Sequence, residues 1–356
     1  MNVFSYLLMP LAWLYDAATR IRNARFDSGS LPSRRFGLPV IAIGNLAVGG
    51  TGKTPHTEYV VRLLRDRFRV AILSRGYGRR SRGYVRAAAG VTAAELGDEP
   101  FQMWQKFPDV AVAVDADRCE GIDRLLAEEP APPQAIVLDD AFQHRYVCAG
   151  LYVLLTDYSR LYTSDFVLPA GRLRESRRGA RRAHVIIVTK CPAELSPDEA
   201  AEIRQRLRPQ AHQAVFFTTF RYGKPYKLFP DAPPEPQSWA GKSVFVPTGI
   251  ARPTPLHQHV EATGGKVKAH NFGDHHNFTP ADVKTLNAAF EALPPDSLAL
   301  TTEKDAARFA LVGAHFSPRL RAALLVQPIE VAFLHGEEET FKKIITDYVT
   351  ENQANR

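Results

Sequence analysis

The sequence predicts an α/β fold: a doubly wound, mainly parallel sheet joined to a second, smaller α/β domain. Short apolar runs alternate with segments of helical spacing, the pattern of a parallel sheet covered on both faces. A glycine-rich turn sits between the first of these runs and the first long helix of the sheet, and the proline-rich break Ala232-Pro233-Pro234-Glu235-Pro236 precedes a fresh series of strands and helices. With 356 residues, 45% of them hydrophobic and 23% charged, the chain has room for two ordinary domains and the composition of a globular protein. Its formal charge of +7 points to anionic partners without choosing among a phosphorylated substrate, an acidic membrane surface and nucleic acid. Cys119, Cys148 and Cys191 are odd in number and show no C-x-x-C spacing, which argues against a disulfide framework or a zinc ribbon and makes a reducing cytosol the natural home.

The first element, Met1 to Ala18, is apolar and aromatic, with Tyr6, Leu7, Leu8, Leu11, Trp13, Leu14 and Tyr15, and Arg20, Arg22 and Arg25 follow it. Pro10 and Asp16 interrupt the run, which falls short of the ~20 apolar residues that a spanning helix needs. A signal peptide places its positive charge ahead of the apolar stretch, the reverse of the order here. Two readings stand, an interfacial helix with aromatics and Leu in the lipid and Arg at the headgroups, and a helix docked on the protein's own core; the aromatics beside an Arg cluster fit the interface best.

The next element is the apolar run Val40 to Ile43, followed by Gly44-Asn45-Leu46-Ala47-Val48-Gly49-Gly50-Thr51-Gly52-Lys53-Thr54-Pro55 and a helical pattern. This reads as a phosphate-binding loop. Backbone N–H groups from Val48, Gly49, Gly50, Thr51 and Gly52 curl around phosphate oxygens, Lys53 brings a point charge to the β/γ-phosphates, and the Thr54 hydroxyl ligates Mg²⁺. Pro55 suits the first helical position, where its missing N–H costs nothing and the helix end favours an anion. The first position of G-x-x-x-x-G-K-[ST] is Ala47, a departure from the strict pattern, while the strand before and the helix after supply the required context.

Val70 to Leu73 is a buried strand, and Ser74-Arg75-Gly76-Tyr77-Gly78-Arg79-Arg80 lies at its carboxyl end, where open α/β sheets bind ligands; a solvated basic turn is the other reading. Gly97-Asp98-Glu99-Pro100 opens a helix, where capping by itself accounts for Asp98 and Glu99. Val110 to Val114 is a strand followed by Asp115, Asp117 and Arg118. Ala135 to Leu138 is another, ending in Asp139-Asp140, paired carboxylates of the kind that hold a Mg²⁺ shell beside a phosphate loop. Leu151 to Leu155 and Val185 to Val188 add further strands, and the arginines of the intervening Leu168 to Arg178 either neutralise phosphate charge or are solvated. Beyond the proline-rich break come a strand over Val244 to Val246, helices near Pro255 to Thr263 and Pro280 to Leu293, a strand over Leu298 to Thr301 and a closing helix from Glu337 to Val349. The histidines of His270 to His276 invite a metal, but no H-E-x-x-H or cysteine spacing accompanies them. The expected division is therefore 1–28 as an N-terminal membrane-surface helix, 29–225 as the P-loop domain, 226–240 as linker and 241–356 as the smaller α/β domain.

Together, Gly44-Asn45 through Lys53-Thr54-Pro55, Ser74 to Gly78, Gly97 to Pro100, Asp139-Asp140-Ala141-Phe142-Gln143-His144, Leu173-Arg174-Glu175, Asp274-His275-His276 and Thr302-Glu303-Lys304-Asp305 resemble, in this order, the tetraacyldisaccharide 4′-kinases of lipid A biosynthesis over most of the chain. That family usually has Gly where Ala141 stands. The resemblance implies a P-loop NTPase-type fold, a site between the two domains, and transfer of the ATP γ-phosphoryl to the 4′-hydroxyl of an acylated glucosamine disaccharide 1-phosphate, giving lipid IVA. It also implies Mg²⁺ as cofactor and peripheral attachment to the cytoplasmic face of the inner membrane, with no obligatory protein partner. By position it places Lys53 and Thr54 on nucleotide and metal, Asp139, Asp140, Gln143 and Glu175 around the metal, Asn45, Arg75 and Arg174 on substrate, and Asp98 with His275 as the pair that handles the acceptor hydroxyl; Lys53 and Asp139 count as catalytic too. A regulatory GTPase would share loop and fold but needs an N-K-x-D guanine reader, and Thr189-Lys190-Cys191-Pro192, the nearest stretch, lacks both Asn and Asp. A nucleic-acid-associated ATPase is motivated by the arginines near Arg79 and Arg174, but no aromatics interleave those runs, and nucleic acid is not an expected partner.

Overall fold

The computed structural model describes residues 7–128, 131–229, 238–274 and 276–354; the proline-rich break at 232–236 and His275 lie outside them. The chain forms two compact units, one of Met1–Ala89, Met103–Phe220 and Val331–Arg356, the other of Gly90–Gln102 and Arg221–Glu330.

In the first unit, the strands that carry the argument are β1 (Val40–Asn45), β2 (Val70–Ser74), β3 (Val85–Arg86), β4 (Ala111–Val114), β5 (Ala135–Asp139), β6 (Leu151–Asp157), β7 (Val185–Thr189) and β8 (Ala214–Tyr222). Among the described residues they form, with Ile329–Phe333 at one edge, a nine-stranded sheet in which β1 lies between β6 and β5. The pairs β1/β5, β1/β6, β2/β5, β2/β4, β6/β7 and β7/β8 are parallel, and the short edge pair β3/β4 is antiparallel. Every residue of β1, β2, β5 and β7 is buried, as expected of parallel strands covered on both faces, which is why they read as unbroken apolar runs. Successive strands are added first on one side of β1 and then on the other. The carboxyl ends of β1 and β5 thus meet at the point where the winding reverses, the place where open α/β sheets bind ligands.

The second unit holds a five-stranded sheet ordered Lys266–Asn271, Ser243–Thr248, Leu298–Thr302, Leu324–Gln327 and Tyr226–Lys227, parallel except for the last pair. Phe245, Val283, Leu286, Phe290 and Phe309 fill its core on one face.

Two features differ from the boundaries expected of the sequence. Gly90–Gln102 belongs to the second unit although it lies far upstream of 241, and the closing helix Glu338–Ala354 belongs to the first. That helix buries Phe341, Ile345 and Val349, packs the Phe341 ring tilted against Tyr59 and edge-on to Phe216, and ties the Tyr348 hydroxyl to the backbone of Val40. Periodicity identifies a buried face; it does not say which core the face lies on.

The helix Met9–Asp27 has two faces. Ala12 and Phe26 are buried, the Tyr15 hydroxyl donates to Arg174 O (2.8 Å), and Arg145 donates to Asn23 O (2.8 Å) and Asp27 (2.6 Å). On the opposite side Leu7, Leu11, Leu14 and Ile21, at i, i+4, i+7 and i+14, are more than half exposed, as is Trp13 on the flank. Among the described residues no helix is long and apolar enough to cross a membrane.

Candidate active site

Gly44, near the end of β1, is the place where the chain after β5 crosses: a Cβ there would lie 2.8 Å from the Cβ of Phe142. Asn45 follows, fully buried, and its amide donates to the Thr51 hydroxyl (2.6 Å), bracing the loop from within. Gly49 (φ +108°) and Gly52 (φ +82°) take left-handed backbone that other residues resist. A Cβ on Gly52 would also sit 2.6 Å from Cζ of Phe220. Lys53 begins the helix Lys53–Arg65, with Thr54 half-buried next to it. The loop thus ends at a helix amino terminus, whose N–H groups and dipole favour an anion.

Because Ile43 and Asp139 are in register, the two aspartates emerge beside this loop. Asp139 is buried and accepts from Thr57 Oγ1 (3.1 Å), in the second turn of the helix, and from Ser74 Oγ (3.2 Å), at the end of β2. Asp140, at φ +46°, receives both Nη atoms of Arg174 (3.1 and 2.7 Å) and lies 3.7 Å from Lys53 Nζ. Burial alone would raise the Asp140 pKa, but Lys53 and Arg174 outweigh it and hold the carboxyl below its ordinary value. Arg174 also donates to Asn45 Oδ1. Asn45, Lys53, Asp140 and Arg174 therefore form one connected cluster.

Gln143 and Glu175 stand behind it. Gln143 donates to Asn45 O (2.8 Å) and to Glu175 (3.1 Å), while the buried Glu175 also accepts from Arg182 (2.7 Å) and Asn23 (2.7 Å). Among the described residues no group of three or more His, Cys, Asp and Glu side chains is arranged to hold a metal. The hydroxyl of Thr54 and the carboxylates of Asp139 and Asp140 are nevertheless the hard oxygen donors Mg²⁺ takes when phosphates and water complete its shell. Arg75 is exposed at the end of β2.

Thr57, Ser74 and Arg118 were not assigned roles from the sequence. Arg118 is 2% exposed, its Nη1 donating to Asp115 O (3.0 Å). Burial drives its pKa down to about 10, with Asp139 pulling the other way and Arg75 adding to the fall. Its position just past the carboxyl end of a buried strand was the available signal. Burial, helped by Arg118, likewise pushes the pKa of His144 down to about 4.

Asp98 lies in the second unit, not the larger one as expected, since Gly90–Gln102 packs there. It starts the helix Asp98–Lys106, and its Oδ2 accepts from Arg308 Nε (2.9 Å) and Nη2 (2.5 Å). Arg308 is 3% exposed and rests on Asp305, which is fully buried and accepts from Gly249 N (3.0 Å) and Thr302 Oγ1 (2.8 Å). The Thr302-Glu303-Lys304-Asp305 motif thus builds the seat of the Arg308–Asp98 pair. His276 instead pairs with Asp282 (3.0 Å) and stacks on Phe272.

A family model described as tetraacyldisaccharide-1-P 4′-kinase matches residues 4–350. A tetraacyldisaccharide 4′-kinase of Bacteroides thetaiotaomicron is 45% identical over 98% of this chain and 94% of its own length. One from Flavobacterium johnsoniae is 44% identical over 99% of both chains. A crystal structure described as the "apo" form of LpxK from Aquifex aeolicus in complex with ATP superposes with a TM-score of 0.75 at 29% identity, covering 98% of this chain and all of that one.

Proposed function

The chain belongs to the tetraacyldisaccharide 4′-kinase family, and from that premise we propose how its residues share the transfer of the ATP γ-phosphoryl to the 4′-hydroxyl of an acylated glucosamine disaccharide 1-phosphate, the step that gives lipid IVA in lipid A biosynthesis. The loop from Val48 to Thr54 and the helix end behind it take the nucleotide phosphates, with Lys53 as the point charge. Thr54, Asp139 and Asp140 would hold Mg²⁺, which would supply positive charge to offset that of the phosphates. Gln143 and Glu175 support that metal site from behind by fixing Asn45 and the chain that follows Asp140. Arg174, oriented by Asp140 and Asn45, and Arg75 serve the anionic substrate.

Asp98 receives the proton of the acceptor hydroxyl, with His275 as its partner. Arg308 donates from Nε and Nη2 to Oδ2, and among the described residues no donor reaches Oδ1, which makes Oδ1 the oxygen for that proton. The exposed stripe of Leu7, Leu11, Leu14 and Ile21 lies on an anionic membrane surface at the cytoplasmic face of the inner membrane, where a lipid acceptor is met.

The observation that carries the reading is the cluster of Asn45, Lys53, Asp140 and Arg174 at the carboxyl ends of neighbouring parallel strands. The test is a transfer assay with labelled ATP and detergent-dispersed disaccharide 1-phosphate. Label is expected in the lipid; an active nucleotide-binding preparation that never labels it would overturn the reading.

A further inference from the structure

Three consecutive carbonyl oxygens of the phosphate loop are each held by a side chain from beyond the glycine-rich stretch. Lys190 Nζ donates to Gly50 O, the Thr189 hydroxyl donates to Thr51 O (2.9 Å), and His56 Nδ1 lies 2.7 Å from Gly52 O. A carbonyl only accepts, so Nδ1 carries the ring proton and Nε2 is left to accept from the Thr218 hydroxyl, 3.1 Å away. The holding residues are themselves fixed. Thr189 is fully buried at the end of β7, and Lys190, at φ +58°, is paired with Asp157 Oδ2 (2.9 Å), whose other oxygen accepts from Ser159 N (2.9 Å).

In a planar trans peptide unit the C=O and the N–H point in opposite directions. The N–H groups of Gly52 and Lys53 share peptide units with the held carbonyls of Thr51 and Gly52, so drawing those oxygens to one side turns these donors to the other, at the start of the helix. We infer that Lys190, Thr189 and His56 are positioning residues for the nucleotide, setting the phosphate loop in its anion-binding shape before ATP arrives. Thr189-Lys190-Cys191-Pro192, which lacks the Asn and Asp of a guanine reader, thereby gains a role: it grips the loop. The inference rests on the kinase reading of the loop and is independent of the assignment of Asp98.

The test is ATP binding and steady-state transfer on the full chain with Lys190→Met, Thr189→Val and Thr189→Ser. Loss of one such hydrogen bond is expected to raise the ATP Kd and KM roughly tenfold in Lys190→Met and Thr189→Val. Because the grip acts on ground and transition states alike, kcat should stay within about threefold. Thr189→Ser keeps the hydroxyl and should stay within about twofold of the parent in both constants. A merely structural role lowers the active fraction without moving KM, so unchanged Kd and KM in both Lys190→Met and Thr189→Val overturn the inference. Should Thr189→Val fail to fold, Lys190→Met decides, since that side chain is 38% exposed and its loss spares the core. Lys53→Ala in the same assay separates the premises: if it keeps full ATP affinity and turnover, the kinase reading of the loop falls instead.

Discussion

Lys53 and Arg174 meet at Asp140, and what one charge does there depends on the other two. The aspartate balances two cations at the mouth of the loop, so removing either cation changes both charge and geometry. Lys53→Ala is expected to lower turnover roughly a hundredfold or more, because it removes a charge aimed at the transferring phosphoryl group. Single-turnover transfer on folded protein measures this, and near-normal turnover would remove Lys53 from the chemistry. His56 makes a different, thermodynamic prediction. Its folded pKa of about 4 is below the unfolded value of 6.5, so between these the unfolded state binds more protons. The stability that comes with its burial is fully present above pH 6.5 and is lost as pH falls toward 4, by an amount on the order of a few kcal/mol at most. His56→Asn keeps a donor near the Nδ1 position and cannot titrate; its unfolding free energy should fall less between pH 6.5 and 4 than that of the parent, as read by urea melts across that range.

Among the elements, the helix Met9–Asp27 and the loop at 44–54 are each shaped by two demands. The helix has one face bound to the first unit through Phe26, Tyr15 and Asn23 and the other left apolar in water, so neither an interfacial nor a docked reading is complete without the other. Changing the outer face alone should separate them. Leu11→Glu with Leu14→Glu is expected to release the protein from anionic vesicles, by tenfold or more in partitioning if each Leu contributes about 1.5–3 kcal/mol on burial. Melting temperature and ATP affinity should hardly move. Sedimentation with vesicles equal to that of the parent would assign this face elsewhere. In the loop, Gly52 combines φ +82° with the Phe220 ring, so Gly52→Ala brings backbone strain and a clash together. A loss of ATP affinity accompanied by a fall in stability is the expected result.

For the whole molecule, the residues proposed for the reaction come from both compact units, the nucleotide side from the first and Asp98 from the second. Asp98→Asn is expected to lower kcat by about 10²–10⁴, the range of a lost general base, with ATP Kd unchanged. Arg308→Gln should lower kcat as well, and in the Asp98→Asn background it should add little, since residues acting as one unit give non-additive losses. Strictly additive losses would show that Arg308 acts elsewhere. The strands, the phosphate loop and the Asp139-Asp140 pair were legible in the sequence because each rests on local chemistry: unbroken apolar runs for strands buried on both faces, glycine where backbone must turn left-handed, carboxylates at a strand end. The tertiary structure decided the rest. It assigned Gly90–Gln102 to the second unit and the closing helix to the first, engaged Glu175 with Arg182 and Gln143, placed Arg308 on Asp98, and brought Lys190 and Thr189 to a loop some 140 residues upstream. These outcomes depend on which strand ends become neighbours and which buried face meets which core, and a pattern of spacings along one chain carries no record of partners so far apart.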